Sequence, residues 1–380
     1  MRYPEFLKKG GTIGVIAPSF GCTTEPYATL EREAVRRFER DGYRVIEGPN
    51  VREEKGVGKS NTPEACAAEI NDFFTSDRAD VLISAGGGET MCEDLSFVDF
   101  GAIQAAPPKW FMGYSDNTNL VFPLTTLADT ASIYGPCVSD FAQNPRHPAV
   151  EDAFRALTGE LGCGERPDGH GGPGPARAGG SAGPVTLTVR NYDRWELEKH
   201  PEGSDVFLPY NATEPNRFRI YEPDGRGGLF VHFPVSEKRE TRFSGRLVGG
   251  CLDILFTLAG TRFDGVRAFA DRYRDDGIVW FFEACELSPM DVRRCLWALS
   301  EAGWFRGANG FLVGRPMRYG ESAMGMNMYN AVTGVLGKYG VPVLADLDIG
   351  HLPPMMPLIS GSLATVTARP GNLRIDMALV

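Results

Sequence analysis

The sequence predicts an α/β protein with two main domains, and three observations support that fold class. Over the first 140 residues, short apolar runs alternate with amphipathic helical patterns, which is typical of a parallel sheet covered by helices. Regular structure returns after residue 244. The length of 380 residues exceeds the size at which a single hydrophobic core usually divides.

The N-terminal elements follow from local patterns. The pattern before Gly42 places apolar residues on one helical face, and glycine is a common helix stop. Thr62 and Pro63 have the residue types of a helix N-cap and first helical position. The predicted elements are strand 11–18, helix 27–41, strand 43–46, a helix from Pro63, strand 80–85 and strand 109–112.

The C-terminal elements have equally clear boundaries. Ser288 and Pro289 predict the start of a helix, and Gly303 predicts its end. The predicted elements are strand 277–282, the helix from Pro289, strand 310–313, a helical stretch after Gly325, strand 341–344 and a hairpin around residues 370–372.

Composition divides the chain into three parts. Residues 1–160 are predicted to form an α/β domain, and residues 244–380 a second domain. Between them, residues 161–243 are predicted to form a flexible connection and a divergent segment. The connection, at 162–183, is dense in Gly, Pro and Ala. Residues 191–234 mix aromatic and charged residues without a clear period, which indicates irregular or β-hairpin structure.

Charge and composition exclude several classes of function. The formal net charge of −10 argues against nucleic acid or an anionic membrane as the main partner, so small molecules or peptides fit better. The amino terminus lacks the apolar core of a signal peptide and no run is long enough to span a bilayer, so we expect a cytoplasmic protein. The eight scattered cysteines and five dispersed histidines predict reduced thiols, no metal site and no cofactor.

Ser115 is the leading candidate nucleophile. It lies between an apolar, strand-like run and a polar sequence typical of a helix start. A serine at such a turn stands clear of the sheet beside unpaired backbone N–H groups. Residues 113–117 approximate the G-x-S-x-G elbow, but Asn117 occupies the fifth position. On these residues alone, Ser115 and Asp116 are also typical turn and N-cap residues.

A serine nucleophile needs a base and a group that orients the base. Among the five histidines, His351 stands apart because it follows a glycine at the end of a strand. Glu283 is the best orienting carboxylate, since it directly follows the apolar run 278–282. The competing carboxylates are Glu286, Asp346 and Asp348.

The glycines at 86–88 end another predicted strand and bring bare backbone N–H groups close to a ligand. They lack the Gly-Lys-Ser/Thr ending of a P-loop, so an oxyanion donor beside Ser115 is the simpler interpretation. A plain tight turn is the alternative.

Together these motifs resemble the serine LD-carboxypeptidases and the related microcin C self-immunity peptidases. The resemblance covers nearly the whole chain. Its motifs lie, in order, at 11–19, 87–88, 113–118, 135–136, 245–250, 282–283 and 350–351.

The resemblance implies a Ser-Glu-His triad of Ser115, Glu283 and His351. It also implies an oxyanion hole from the Asp116 backbone N–H and a glycine N–H of Gly87 or Gly88. It further implies a cytoplasmic, metal-free homodimer.

For the fold, we expect an N-terminal parallel-sheet domain of the flavodoxin or glutamine-amidotransferase type and a C-terminal mixed β/α swivelling domain. The chain departs from the family in carrying Gly86 where carboxypeptidase members often have arginine, and Leu352 where threonine often follows the histidine. It also departs in an enlarged, divergent segment at 161–243, which includes the region that shapes substrate specificity in the family.

The predicted function is therefore serine peptidase hydrolysis of an amide bond near a free carboxyl end. The substrate is either a murein LD-tetrapeptide or a microcin C-like peptidyl or aminoacyl nucleotide. The absence of arginine at Gly86 and the aromatic residues Tyr192, Trp195 and Tyr210 favour the nucleotide, because an aromatic face stacks on a base. A non-catalytic peptide- or nucleotide-binding module is the alternative function. A cysteine hydrolase using Cys92 or Cys285 is a weaker one.

Overall fold

The computed structural model describes residues 1–162, 184–225, 228–232 and 240–380, without the side chains of 230–232. The predicted flexible connection at 162–183 falls almost entirely outside these residues.

The strands are β1 Thr12–Ile16, β2 Arg44–Glu47, β3 Val81–Ser84, β4 Trp110–Gly113, β5 Ser132–Tyr134, β6 Thr186–Arg190, β7 Arg194–Trp195, β8 Glu214–Pro215, β9 Arg219–Pro223, β10 Leu229–His232, β11 Thr241–Cys251, β12 Ile278–Glu283, β13 Ala308–Gly314, β14 Ser322–Ala323, β15 Met326–Asn327, β16 Val343–Leu347, β17 Leu358–Ser360, β18 Leu363–Arg369 and β19 Asn372–Ala378. The α-helices are α1 Tyr27–Arg40, α2 Pro63–Thr75, α3 Phe100–Ala105, α4 Thr118–Thr126, α5 Pro148–Thr158, α6 Leu252–Leu258, α7 Val266–Arg272, α8 Pro289–Glu301 and α9 Met328–Leu336.

The first of two compact units comprises the described residues of Met1–Arg177 together with Glu198–Tyr210 and Pro357–Ser360. Its six-stranded sheet has the order β17-β5-β4-β3-β1-β2. Strands β1 to β5 are parallel, and β17 runs antiparallel to β5. β1, β3 and β4 are buried along their whole length, as expected for parallel strands covered on both faces.

Helix ends in this unit follow the sequence signals. Thr62 caps α2 by accepting a hydrogen bond from the backbone N–H of Ala65 at 3.3 Å, and Pro63 occupies the first helical position. α1 buries Ala34 and Phe38 as its amphipathic pattern predicts.

The second unit comprises the described residues of Ala178–Leu197, Asn211–Met356 and Gly361–Val380. Its nine-stranded sheet has the order β10-β9-β16-β13-β12-β11-β18-β19-β6. The central strands β11, β12, β13 and β16 are parallel, while β9 and β18 flank them in antiparallel orientation. Ser288 and Asp291 form a capping box at the start of α8, as Ser288 and Pro289 predict.

The predicted fold class is confirmed: a parallel-sheet α/β unit is followed by a mixed β/α unit. The middle segment contributes more sheet than its sequence indicates, because β6 pairs with β19 at one edge of the second sheet. The proposed division at 1–160, 161–243 and 244–380 stays a prediction.

Candidate active site

Ser115 lies at the turn from β4 into a short 3-10 helix, Ser115–Asn117, which continues into α4. Its backbone φ is 61°, in the left-handed region that non-glycine residues seldom adopt. Such strained residues cluster at active sites, because the surrounding structure must hold them in place. The turn therefore has the backbone geometry of a nucleophile elbow.

Asn117 holds this turn against the neighbouring strand. Its side-chain amide donates hydrogen bonds to the carbonyl of Gly86 at 2.9 Å and to that of Tyr114 at 3.0 Å. Its side-chain oxygen accepts one from the Ser84 hydroxyl at 2.8 Å. A Cβ atom on Gly113 would lie 3.0 Å from the Cβ of Asn117, so Gly113 permits this close packing. The unusual fifth position of the elbow thus joins β4 to the end of β3.

The Asp116 carboxylate is buried beneath the elbow and is fully engaged. It accepts hydrogen bonds from the Ser19 hydroxyl at 2.5 Å, the Met91 backbone N–H at 3.0 Å and the Asn119 amide at 2.9 Å. Burial raises the pKa of Asp116 above its usual range. The carboxylate therefore orders the turn, and the predicted oxyanion role rests on the backbone of Asp116 alone.

Gly87 and Gly88, the predicted oxyanion turn, lie just after the end of β3. A Cβ atom on Gly87 would be 3.3 Å from the Cβ of Ser115 and 3.4 Å from its hydroxyl oxygen, so this glycine lies directly against the serine. Gly88 has a φ of 156°, and a Cβ there would lie 2.0 Å from the Ser19 hydroxyl oxygen. Only glycine fits at 88 without a shift of the surrounding atoms.

In the second unit, Glu283 and His351 form a hydrogen-bonded pair. Nδ1 of His351 lies 2.7 Å from Oε2 of Glu283, and the Glu283 side chain is completely buried. Glu283 is the last residue of β12, and His351 follows β16. Gly350 permits the close approach: its φ is 95°, and a Cβ there would lie 2.4 Å from Oε2 of Glu283. This is the contact by which a carboxylate orients a catalytic imidazole.

The surroundings of His351 favour its charged form. Burial alone lowers the pKa of His351, but the negative charge of Glu283 and hydrogen bonds with Glu283 and the Cys285 thiol outweigh burial and raise the pKa above its usual value. Glu283 therefore stabilises an imidazolium at this position.

Of the competing carboxylates, Glu286 is exposed, and Asp346 and Asp348 have other partners. The Glu286 side chain is exposed, and its backbone N–H donates to Asp253 at 2.9 Å. Asp346 accepts hydrogen bonds from Arg219 at 3.2 Å and from the Tyr329 hydroxyl at 2.9 Å. Asp348 pairs with the buried Arg315.

Two of the other histidines have structural roles. Nδ1 of His147 accepts a hydrogen bond from the backbone N–H of Ala149 at 3.1 Å and caps α5. Nε2 of His200 lies 2.9 Å from the carbonyl of Pro209. His170 and the side chain of His232 fall outside the described residues.

The predicted substrate aromatics are packed within their own units. Trp195 is 5% exposed, and the Arg315 guanidinium lies 4.9 Å from its ring centre. The ring centre of Tyr319 lies 4.8 Å from that of Trp195, in an edge-on arrangement. In the first unit, the Tyr210 hydroxyl donates to Asp140 at 2.9 Å, and its ring packs against His147. Their substrate contacts stay a prediction.

Sequence reasoning missed three features of these sites. The contact of the Cys285 thiol with His351 joins residues 66 positions apart, and the Ser19–Asp116 contact joins residues 97 positions apart, so neither leaves a local pattern. Asn117 did leave a signal, because a polar side chain replaced the expected glycine.

Within the described ranges, no group of three or more His, Cys, Asp or Glu side chains is arranged to hold a metal ion. In the same part of the chain, no helix combines the length and apolar character needed to cross a bilayer. The seven cysteines that are described carry free thiols.

Comparison with known proteins gives two family matches. The model of the LD-carboxypeptidase N-terminal domain matches residues 13–135, and that of the LD-carboxypeptidase C-terminal domain matches residues 244–366. The microcin C7 self-immunity protein of Escherichia coli is 22% identical over 356 residues, which span 93% of this chain and 90% of that protein. A Bacillus subtilis protein named "probable murein peptide carboxypeptidase" is 28% identical over 155 residues, 40% of this chain and 47% of its own length.

Solved structures share the fold. The microcin C7 self-immunity protein in complex with adenosine monophosphate superposes with a TM-score of 0.73 and 20% identity, covering 99% of this chain and 98% of that one. A muramoyltetrapeptide carboxypeptidase from Oxalobacter formigenes has a TM-score of 0.65 and 18% identity, covering 96% and 98%. Both types of relative named in these comparisons therefore adopt this fold.

Proposed function

The chain belongs to the LD-carboxypeptidase family, and from that premise we propose that it is a serine peptidase that cleaves an amide bond near a free carboxyl end. One observation carries the proposal. Nδ1 of His351 lies 2.7 Å from Oε2 of Glu283, so His351 has the buried carboxylate partner that a catalytic base requires. The strained elbow of Ser115 supplies the matching nucleophile.

In the proposed reaction, Nε2 of His351 takes the proton of the Ser115 hydroxyl as its oxygen attacks the carbonyl carbon. Backbone N–H groups of Asp116 and of Gly87 or Gly88 stabilise the oxyanion that forms. His351 then gives the proton to the leaving amine, and an acyl-enzyme remains on Ser115. Water, activated by His351, hydrolyses this ester and restores the serine. Glu283 holds the imidazole and stabilises its charged form throughout.

Two substrate classes fit this chemistry. One is a murein LD-tetrapeptide, and the other is a microcin C-like peptidyl or aminoacyl nucleotide. Gly86 supports the second, because the arginine common among carboxypeptidase members is absent. Nucleotide-like ligands are also named for a relative of the same fold, since structures of the microcin C7 self-immunity protein hold adenosine monophosphate or aspartyl sulfamoyl adenosine. The proposal includes a cytoplasmic homodimer, as the resemblance implies.

The test compares the wild-type protein with Ser115→Ala on both substrate classes, with products followed by mass spectrometry. We expect turnover on the true substrate to fall by about 10⁴ or more, while the circular dichroism spectrum is unchanged. Ser139→Ala removes a half-buried serine from the same unit and serves as the matched control, with wild-type turnover. Folded Ser115→Ala protein that retains full hydrolysis would refute the nucleophile assignment.

A further inference from the structure

Asp348, three residues before His351, is the centre of a buried polar cluster. Its side chain is completely buried and accepts a hydrogen bond from the backbone N–H of Tyr192 at 2.9 Å. The side-chain amide of Asn216 donates to both carboxylate oxygens, at 3.0 and 2.8 Å. The guanidinium of Arg315, which is 1% exposed, completes the set of partners.

Arg315 connects the same cluster to the sheet. It directly follows β13, and its guanidinium donates to the backbone carbonyl of Asp346 at 2.7 Å. A buried ion pair offsets its desolvation cost only when the geometry is well matched and further hydrogen bonds satisfy both ions. Such pairs are better suited to fixing one arrangement of chain segments than to adding stability.

Asn216 and Tyr192 belong to the divergent middle segment. The Asn216 amide also donates to the backbone carbonyl of Tyr192 at 2.8 Å, so one side chain joins two separate stretches of the middle segment to Asp348. On the other side of His351, the backbone N–H of Glu196 donates to the carbonyl of Pro353 at 2.8 Å. The middle segment therefore contacts the loop at 348–353, here called the His351 loop, both before and after the histidine.

We propose that Asn216 is a positioning residue: through Asp348 and Arg315 it fixes the His351 loop so that Nδ1 stays against Glu283. The segment expected to govern substrate choice then also sets the orientation of the base. This inference rests on the proposed role of His351 as that base.

Loosening of the His351 loop should change the pKa of His351 in a predictable direction. Glu283, at the end of β12, and the Cys285 thiol, just after it, are the titratable groups that raise the pKa of His351. The base acts only when neutral, so the reaction rate rises with pH through this pKa. If the loop loosens and His351 leaves Glu283, the pKa falls, and the rise in rate moves to lower pH.

The test measures the rate at which a fluorophosphonate labels Ser115 as a function of pH, in wild-type protein and Asn216→Ala. Because a small misplacement of a catalytic group is costly, we expect the maximal rate to fall about tenfold or more. We expect the rising limb of the pH–rate profile, where the labelling rate increases with pH, to move to lower pH by about half a unit or more. Asn309→Ala is the matched control, since this exposed amide also donates to two backbone carbonyls, Ser244 at 2.8 Å and Asp276 at 3.2 Å.

If the labelling rate of Asn216→Ala rises over the same pH range as that of the wild type, the positioning role is overturned. This holds even if the maximal rate or the stability in urea falls, because a purely structural loss leaves the pKa of His351 unchanged. Failure of the proposed function looks different. In that case, neither wild-type protein nor Asn309→Ala would label at Ser115.

Discussion

The elbow in the first unit and the Glu283–His351 pair in the second hold their candidate catalytic side chains by different means. Ser115 is presented by backbone strain, at a φ of 61°, and Asn117 and Asp116 maintain that strain with buried hydrogen bonds. His351 is held against Glu283 by a charged hydrogen bond of 2.7 Å, which Gly350 makes room for. The proposed nucleophile thus depends on the shape of its turn, and the proposed base on the charge of its partner.

This difference predicts different failures. A substitution in the second unit that keeps the shape of a side chain but removes its charge should abolish activity and shift the pH dependence of the rate. A substitution in the first unit that keeps the charge but alters the shape of the turn should reduce the rate without shifting its pH dependence.

The largest effect is expected for Glu283→Gln, which keeps the size of the side chain and removes its charge. Turnover should fall by about 10³ to 10⁴, as expected when a triad carboxylate is lost. Because the charge of Glu283 raises the pKa of His351, its loss lowers that pKa, so the rising limb of the pH–rate profile moves to lower pH. Steady-state kinetics across pH measure both changes.

Glu286→Gln is the matched control for this prediction. Glu286 lies three residues away with an exposed side chain, so its turnover and rising limb should match those of the wild type. Equal behaviour of the two variants would remove Glu283 from the proposed triad.

An intermediate effect is expected for Gly88→Ala in the first unit. The new Cβ would lie 2.0 Å from the Ser19 hydroxyl oxygen, so the turn beside Ser115 must move. We expect kcat to fall by about 10² to 10³, which is the range for losing an oxyanion donor. The rising limb of the pH–rate profile should not move. In the control Gly86→Ala, the Cβ meets the Phe20 carbonyl oxygen at an ordinary 3.5 Å. If Gly88→Ala is as active as this control, the glycine turn has no part in catalysis.

The smallest effect is expected for Asn117→Gly, which converts the elbow to the common G-x-S-x-G pattern. It removes the bonds to Gly86, Tyr114 and Ser84, so the free energy of unfolding in urea should fall by about 1 to 3 kcal/mol. Activity should fall with it, by about tenfold. If Asn117→Gly is at least as stable and active as the wild type, the hydrogen bonds of the Asn117 amide are not needed to hold this elbow.

The sequence predicted features whose causes are local. Ser288 and Thr62 cap helices because capping depends on neighbouring backbone N–H groups. The turn at Ser115 was predictable because its strand, glycine and turn residues are adjacent. The pairing of His351 with Glu283 spans 68 positions, and residue patterns alone left Glu286, Asp346 and Asp348 as alternatives.

The buried cluster at Asp348 shows why the remaining features could not be predicted. Asn216 and Arg315 lie 132 and 33 positions from it in the chain, and Asn216 belongs to a segment without a clear period. Contacts of this kind depend on strand order in the second sheet, where β9, β16 and β13 are neighbours although far apart in sequence.

The most direct test of the proposed chemistry is to label wild-type protein with a fluorophosphonate and locate the adduct by peptide mass spectrometry. We predict a single adduct on Ser115 that is absent from Ser115→Ala and is formed far more slowly in His351→Ala. An adduct on another serine, or hydrolytic activity that remains after Ser115 is fully labelled, would contradict the assignment of Ser115 as the nucleophile.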